Sequence, residues 1–451
     1  MAGELFGPIF IPDEFRAVVS GRAWLQAMLD AEGALAVAEA RAGVIPAKAA
    51  EAIAGCCVAD RFDPEEIGRK GRAAGNPVPP LVKALTEAVL KVSEDASRYV
   101  HKGATSQDIT DTAAMLVSRR ALDLILSEVN GMAAACARLA DDHRRTLMPG
   151  RTLLQQALPI TFGLKAAGWL VSALEARARL VDVCESGLAA QLGGAAGTLA
   201  SLGQDGAQVL GEFARELDLA EPVVPWHTAR FRIAEIGGAL SLVAGVLGKI
   251  SLDVILMAQT EVGEVAEPAR EGRGGSSTLP HKRNPVLSTT AAASVRRVQD
   301  LSRALQAAMV GEHERAAGAW HSEWEALSDA LALTGGAAAA VREVTEELQV
   351  YPERMRENLD ATGGLLLAEH VTTMVAEHLG RMKAHELVEA ASRRTFESGK
   401  SLREELLAEP ELEEILSNKE IDAALDPARY LGSAEVFVER ALDLYRKEVP
   451  A

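Results

Sequence analysis

The chain has 451 residues, 48% of them hydrophobic and 25% charged, enough for two or three domains around a large buried core. With 64 acidic against 47 basic side chains the formal charge is -17, which disfavours nucleic acid or an anionic membrane as a partner. A small anionic substrate fits that charge only if a local positive pocket receives it.

The opening MAGELFGPIFIPDEF has neither the basic start nor the continuous apolar run of a signal peptide. No later segment holds about 18 apolar residues without charge, so no membrane partner and a cytoplasmic location are expected. Cys56, Cys57, Cys136 and Cys184 fit neither a disulfide framework nor a zinc knuckle.

Proline-free stretches from Pro80 to Pro149, Pro159 to Pro222, Pro225 to Pro268 and Pro285 to Pro352 leave room for long helices, because each internal proline costs a helix about 3 kcal/mol. Before the first comes HKGATSQD, His101 to Asp108. Thr105 with Asp108 three positions on forms a capping-box pattern, and Thr105 and Ser106 can also offer hydroxyls to a carboxylate. His101 is either a ligand-facing or a structural histidine. From Asp111 to His143, Met115, Leu122, Ile125, Val129, Met132, Cys136 and Leu139 recur at the three-and-four spacing of a bundle-facing helix.

GRTLLQQALPITFG, Gly150 to Gly163, places Gln155 and Gln156 in an apolar run ending at Pro159, which is expected to start a helix over Ile160 to Ser186. Gly193, Gly194 and Gly197 follow no strand, so they do not predict a dinucleotide site. Thr228 to Ala266 is apolar nearly all round, with Gly237, Gly238, Gly245 and Gly248 permitting close helix approach, and must be buried on several sides.

GRGGSSTLPHKRNP, Gly272 to Pro285, concentrates Ser276, Ser277, His281, Lys282, Arg283 and Asn284 behind three glycines. Asn284 and Pro285 predict a helix start whose N–H groups face the loop, an anion site. Two helices follow, broken near Gly311 to Gly318. His313 with His321 and His370 with His378 lack zinc-ligand spacing, so no metal is expected. Period-two alternation is almost absent, so no parallel sheet is predicted. The expected architecture is all-α: an N-terminal helical domain over 1–110, a central long-helix domain over 111–355 and a C-terminal helical domain over 356–451. Helices this apolar predict a homo-oligomer.

Together these segments resemble the signature regions of the fumarase/aspartase superfamily. GSSTLPHKRNP is very similar to its serine-loop signature GSSxMPxKxNP, with Leu279 where methionine is usual; ATSQD resembles the first region and Gly150 to Gly163 the second. RYVHKGATSQDITDTA, PWHTARFR, QTEVGEV, GEHERAAGAWHSEWEAL and LDPARYLG resemble the superfamily's lactone-forming cycloisomerases of protocatechuate breakdown, whereas adenylosuccinate lyases usually carry tyrosine where His281 stands. The resemblance implies a homotetramer with a 20-helix core, active sites shared between subunits, a small polycarboxylate substrate and no cofactor. It implies Ser276 and His101 as catalytic residues, with Thr105, Ser106, Gln155, Ser277, His281, Lys282 and Asn284 holding substrate. Many relatives carry a histidine after the Arg-Thr of the second region. Here that position is Leu153, so no acid role carries over to it, and Phe231 stands where an acidic residue is usual. The alternatives are a lyase acting on nitrosuccinate or another succinyl compound, and a non-catalytic crystallin-like protein.

Overall fold

The computed structural model describes residues 5–268, 270, 274, 275, 279 and 282–449. In chain order its main elements are α1 (Gly21–Arg41), α2 (Ser106–Asp142), β1 (Leu147–Thr152), β2 (Gln155–Thr161), α3 (Phe162–Asp182), α4 (Phe231–Met257), β3 (Val265–Ala266), α5 (Val286–Ala307), α6 (Ala319–Glu346), β4 (Gln349–Val350), α7 (Pro352–Asp360), α8 (Ala368–Leu379) and α9 (Arg381–Ser398). The chain is mostly helical, as expected, but not wholly so. β1 pairs with β2 and β3 with β4, both antiparallel. Contacts divide the chain into one unit of residues 1–129, 176–248 and 290–340, and a second of 130–175, 249–289 and 341–451.

The stripe read along α2 is a core face. Met115, Leu122, Ile125, Val129, Met132 and Cys136 are all buried, and Leu139 is half-buried. Helix α2 begins at Ser106, five residues before the expected start, because Asp108 serves its first turn from within.

In the first unit α1 packs on the helices Ala47–Ala54 and Gly206–Glu216. Its own start is capped by Ser20, whose Oγ accepts the Ala23 N–H at 3.1 Å. Two of the four glycines singled out on α4 mark close approaches: a Cβ on Gly237 would lie 2.9 Å from Leu305 Cδ1, and one on Gly248 would lie 3.0 Å from Val295 Cγ1. Gly238 and Gly245 face open space instead. They share the uncovered side of α4 with Leu242, while Ile236, Leu240, Val243 and Leu247 are buried. The helix is thus buried on several sides, as expected, with one side left uncovered. Among the described residues α4 is the one helix long and apolar enough, by composition, to cross a membrane; the same composition suits a core helix.

In the second unit the segment around Pro159 departs from expectation. It is a strand, not a helix start: Pro159 stands opposite Pro149 in the hairpin, and α3 begins only after Thr161, whose Oγ1 accepts the Leu164 N–H at 3.1 Å. The two-residue turn at Leu153 and Leu154 has φ of 49° and 65°, the left-handed pair that such hairpins require. Helix α7 packs against β1, and α8 against α9 over a cluster that includes Val371, Val375, Leu387 and Leu402.

Candidate active site

In the first unit, the start of α2 organises a buried polar network. The capping pattern is made by half: the Thr105 N–H donates to Asp108 Oδ2 at 2.9 Å, while the Asp108 N–H goes to the Thr105 backbone oxygen. The same carboxylate accepts the N–H groups of Gly193 and Gly194, each at 2.9 Å, and its Oδ1 lies 2.7 Å from His227 Nε2. Glycine is needed at Gly193, where a Cβ would come within 2.8 Å of both His227 and Pro225. The glycines thus bind an anion, but it is the protein's own.

One turn along, Arg230 is buried between two carboxylates. It reaches Asp111 at 2.6 and 3.0 Å and Glu323 through Nε at 3.0 Å; Trp320 Nε1 also donates to Asp111 at 3.0 Å. Burial would lower the Arg230 pKa, yet Asp111 and Glu323 more than offset it and hold it above its ordinary value. Gln107 donates to the His227 backbone oxygen at 2.7 Å and accepts from Arg315 at 3.0 Å. His101 Nδ1 lies 2.7 Å from Glu32 Oε1. Thr105 and Ser106 stand half-buried beside this network.

In the second unit, Gln155 is exposed at the hairpin tip and Gln156 is half-buried, its Oε1 without a hydrogen-bond donor among the described residues. Arg151 forms a two-point pair with Glu264 at 2.9 and 2.7 Å, and Asn358 donates to the same buried carboxylate at 2.9 Å. Next to the hairpin a cavity of about 410 Å³ is lined by Arg151, Lys165, Lys249, Asp253 and Gln259 among others. Asp253 bonds Lys249 and accepts from Trp169 at 2.8 Å. Burial lowers the pKa of Lys165, with Lys249 and Arg151 reinforcing the shift and Asp253 and Glu264 opposing it.

The glycine loop closes on itself at its base. Asn284 donates to the Gly274 oxygen through its backbone at 2.9 Å and through Nδ2 at 3.2 Å, and Gly275 bridges Arg283. Gly274 has φ of 71°, and a Cβ there would meet the Asn284 oxygen at 2.9 Å. Lys282 and Arg283 are exposed. The expected anion site at the helix start is already filled: the Glu267 carboxylate accepts the N–H groups of Leu287 at 3.0 Å and Ser288 at 2.7 Å. Ser276, Ser277 and His281, with Arg273, lie outside the described residues.

His101, Thr105 and Ser106 therefore belong to the first unit, and Gln155, Lys282 and Asn284 to the second. Sequence reasoning gave no role to Asp108 beyond capping, and none to Glu32, Asp111, His227, Arg230 or Glu323. The one available signal was histidine and arginine packed into PWHTARFR. Among the described residues no cluster of three or more histidine, cysteine or acidic side chains could hold a metal.

The family profile described as "Lyase" matches residues 11–300, and that described as "Adenylosuccinate lyase C-terminus" matches residues 364–441. A 3-carboxy-cis,cis-muconate cycloisomerase of Bradyrhizobium diazoefficiens is 47% identical over 98% of this chain and 98% of its own. A nitrosuccinate lyase of Streptomyces davaonensis is 46% identical over 99% of this chain and 96% of its own. The crystal structure of the 3-carboxy-cis,cis-muconate lactonizing enzyme from Pseudomonas putida superposes with a TM-score of 0.94 at 43% identity, covering 99% of this chain and 100% of that one.

Proposed function

This chain belongs to the lyase family, within the fumarase/aspartase superfamily, and on that premise we propose that it is a 3-carboxy-cis,cis-muconate cycloisomerase. The observation that carries the reading is end-to-end likeness, 47% identity across 98% of both chains, to an enzyme of that name.

In this reaction a substrate carboxylate oxygen forms a C–O bond to one carbon of a double bond. The other carbon, next to a second carboxylate, takes a proton, so product and substrate are isomers and no co-reactant is consumed. The intermediate is an aci-carboxylate carrying two negative charges on one carboxyl group, and preorganised donors and cations stabilise it without a cofactor. Ser276 delivers the proton to carbon and His101 supports the developing charge. Thr105, Ser106, Gln155, Ser277, His281, Lys282 and Asn284 hold the carboxylates. The helix start behind Asn284 is not among the anion-holding groups, because Glu267 occupies it.

The protein works in the cytoplasm as a homotetramer built on three helical domains, with each site shared between subunits. The uncovered side of α4, with Leu242 58% exposed and Phe231 62% exposed, supports the assembly. So does the hairpin tip, where Leu153 is 97% exposed on a left-handed turn.

The second reading is a nitrosuccinate lyase, favoured by the 46% identity to an enzyme of that name. Incubation with 3-carboxy-cis,cis-muconate should remove its ultraviolet absorbance. Nitrite release from nitrosuccinate, with no loss of muconate absorbance, would select the second reading.

A further inference from the structure

Helix α1 carries Glu32 and Glu39 two turns apart on one face, both 1% exposed or less. Burying a carboxylate is costly unless a partner compensates it, so two on one face call for a reason. They are not equivalent. Among the described residues neither oxygen of Glu39 meets a hydrogen-bond donor, and burial pushes its carboxyl up to about 8, so it keeps its proton at neutral pH. Glu32 has one donor: Oε1 lies 2.7 Å from His101 Nδ1, while Oε2 has none.

His101 is unusual in its own right. Its φ is 59°, in the left-handed region, which strains a non-glycine residue and persists only where the surroundings enforce it. Its side chain keeps 18% exposure while that of Glu32 has none. Among the described residues no group is hydrogen-bonded to Nε2. Four and five residues later come Thr105 and Ser106.

We propose that Glu32 is the positioning residue of His101: it binds Nδ1–H, keeps the ring an imidazolium, and so commits Nε2–H to a substrate carboxylate as charge builds on it. This inference rests on the active site assigned above and gives one of its catalytic residues a partner.

The other groups facing the ring leave this task to Glu32. From α1, Glu39 is neutral. From α2, Asp108 is already engaged by Thr105, Gly193, Gly194 and His227. Lys102, on the same segment, donates to the Val44 oxygen at 3.4 Å and lies 5.5 Å from the centre of the Tyr99 ring. Burial alone would lower the His101 pKa. The charge and hydrogen bond of Glu32 outweigh it, with Asp108 adding to them, and the net direction is upward.

The test uses the full-length enzyme, its Glu32→Gln and Glu32→Asp variants, and histidine-selective 13C labelling, with the His101 signal identified by its loss in His101→Gln. In the unsubstituted enzyme the His101 ring should titrate above the ordinary histidine value. In Glu32→Gln its titration, and the alkaline limb of kcat/KM against pH, should both move down by about 1 pH unit or more, with Glu32→Asp intermediate. An unmoved limb and an unmoved titration in a folded Glu32→Gln protein would overturn the proposal. So would a neutral His101 at pH 7 in the unsubstituted enzyme, a result that stands even if Glu32→Gln fails to fold. Kinetics are run on whichever of 3-carboxy-cis,cis-muconate and nitrosuccinate is turned over. Turnover of neither refutes the functional reading, while the ring titration still reports on the pair.

Discussion

Glu267 Oε1 accepts the backbone N–H of Ser288 at 2.7 Å and its hydroxyl at 2.6 Å, while Oε2 takes the Leu287 N–H at 3.0 Å. The first turn of α5, the natural place for a substrate carboxylate, is thus capped by the protein itself. Glu267→Ala should cost about 1–2 kcal/mol, a fall of a few degrees in thermal midpoint, because two helix donors lose their acceptor. Glu267→Gln, which keeps an acceptor oxygen, should lose less. An unchanged midpoint for the alanine variant would show that the cap contributes nothing.

Why this cap escaped the sequence reading is a matter of range. Asn284 and Pro285 announce a helix start locally, but the carboxylate that fills it comes from the other side of the loop, 21 residues before Ser288. The long helices were legible because the spacing of Met115, Leu122, Ile125 and Val129 is itself the period of a helix. The hairpin was not. Pro159 reads equally well as a helix start or as an interruption in a strand, and no propensity puts Leu153 and Leu154 in the left-handed region. The buried network was hidden for the same reason as the cap, since His227 and Arg230 meet Asp108 and Asp111 across 119 residues. Motif density marked Thr105, Ser106, Gln155, Lys282 and Asn284 as candidates, because several polar side chains crowd short segments there.

Ser276→Ala should lower kcat at least 100-fold, the low end of what proton transfer by a positioned side chain contributes. Its thermal midpoint should stay within about 1 °C of the unsubstituted enzyme, since the substitution deletes one hydroxyl and no apolar volume. Near-normal turnover would take the proton-transfer role away from Ser276.

Lys282 is exposed, so its ammonium can meet a polyanionic substrate in a protein of net charge -17. Lys282→Met keeps an unbranched side chain and deletes the charge. If the ammonium pairs with a carboxylate shielded from water, kcat/KM should fall about 30-fold or more, corresponding to at least ~2 kcal/mol. A change below about threefold would move the carboxylate site elsewhere.

Leu242 stands on the uncovered side of α4 between Gly238 and Gly245, neither of which has an atom within 4 Å of an added Cβ. Small residues flanking a large apolar one suit the close approach of a second helix. Leu242→Arg should therefore shift the protein to smaller species in size-exclusion chromatography with light scattering, and activity should fall with the loss of the proposed tetramer. A variant that elutes and turns over like the unsubstituted protein would remove this face from the assembly.

The last expectation concerns Glu39 and pH. Among the described residues its carboxyl has no hydrogen-bond donor, and burial, opposed by Lys102 and His101 and reinforced by Glu32, raises its pKa from 4.5 to about 8. In the unfolded chain the group ionises near pH 4.5; in the folded protein it keeps its proton until about pH 8. Between those values the folded state binds the extra proton, so its contribution to stability is fully present below pH 4.5 and is lost as pH rises through 8. The loss can approach about 1.4 kcal/mol per pH unit while the two states differ by a whole proton. Glutamine has nearly the same shape and stays neutral in both states, so Glu39→Gln should remove this component of the pH dependence. Thermal midpoints of the two proteins, taken at one fixed concentration because the proposed assembly would couple to stability, should lie close together near pH 4.5 and separate toward pH 8. There the glutamine variant should be the more stable by at least ~1 kcal/mol, or about 2–4 °C. Curves that run parallel across this range would mean that Glu39 is ionised in the folded protein and has found a partner.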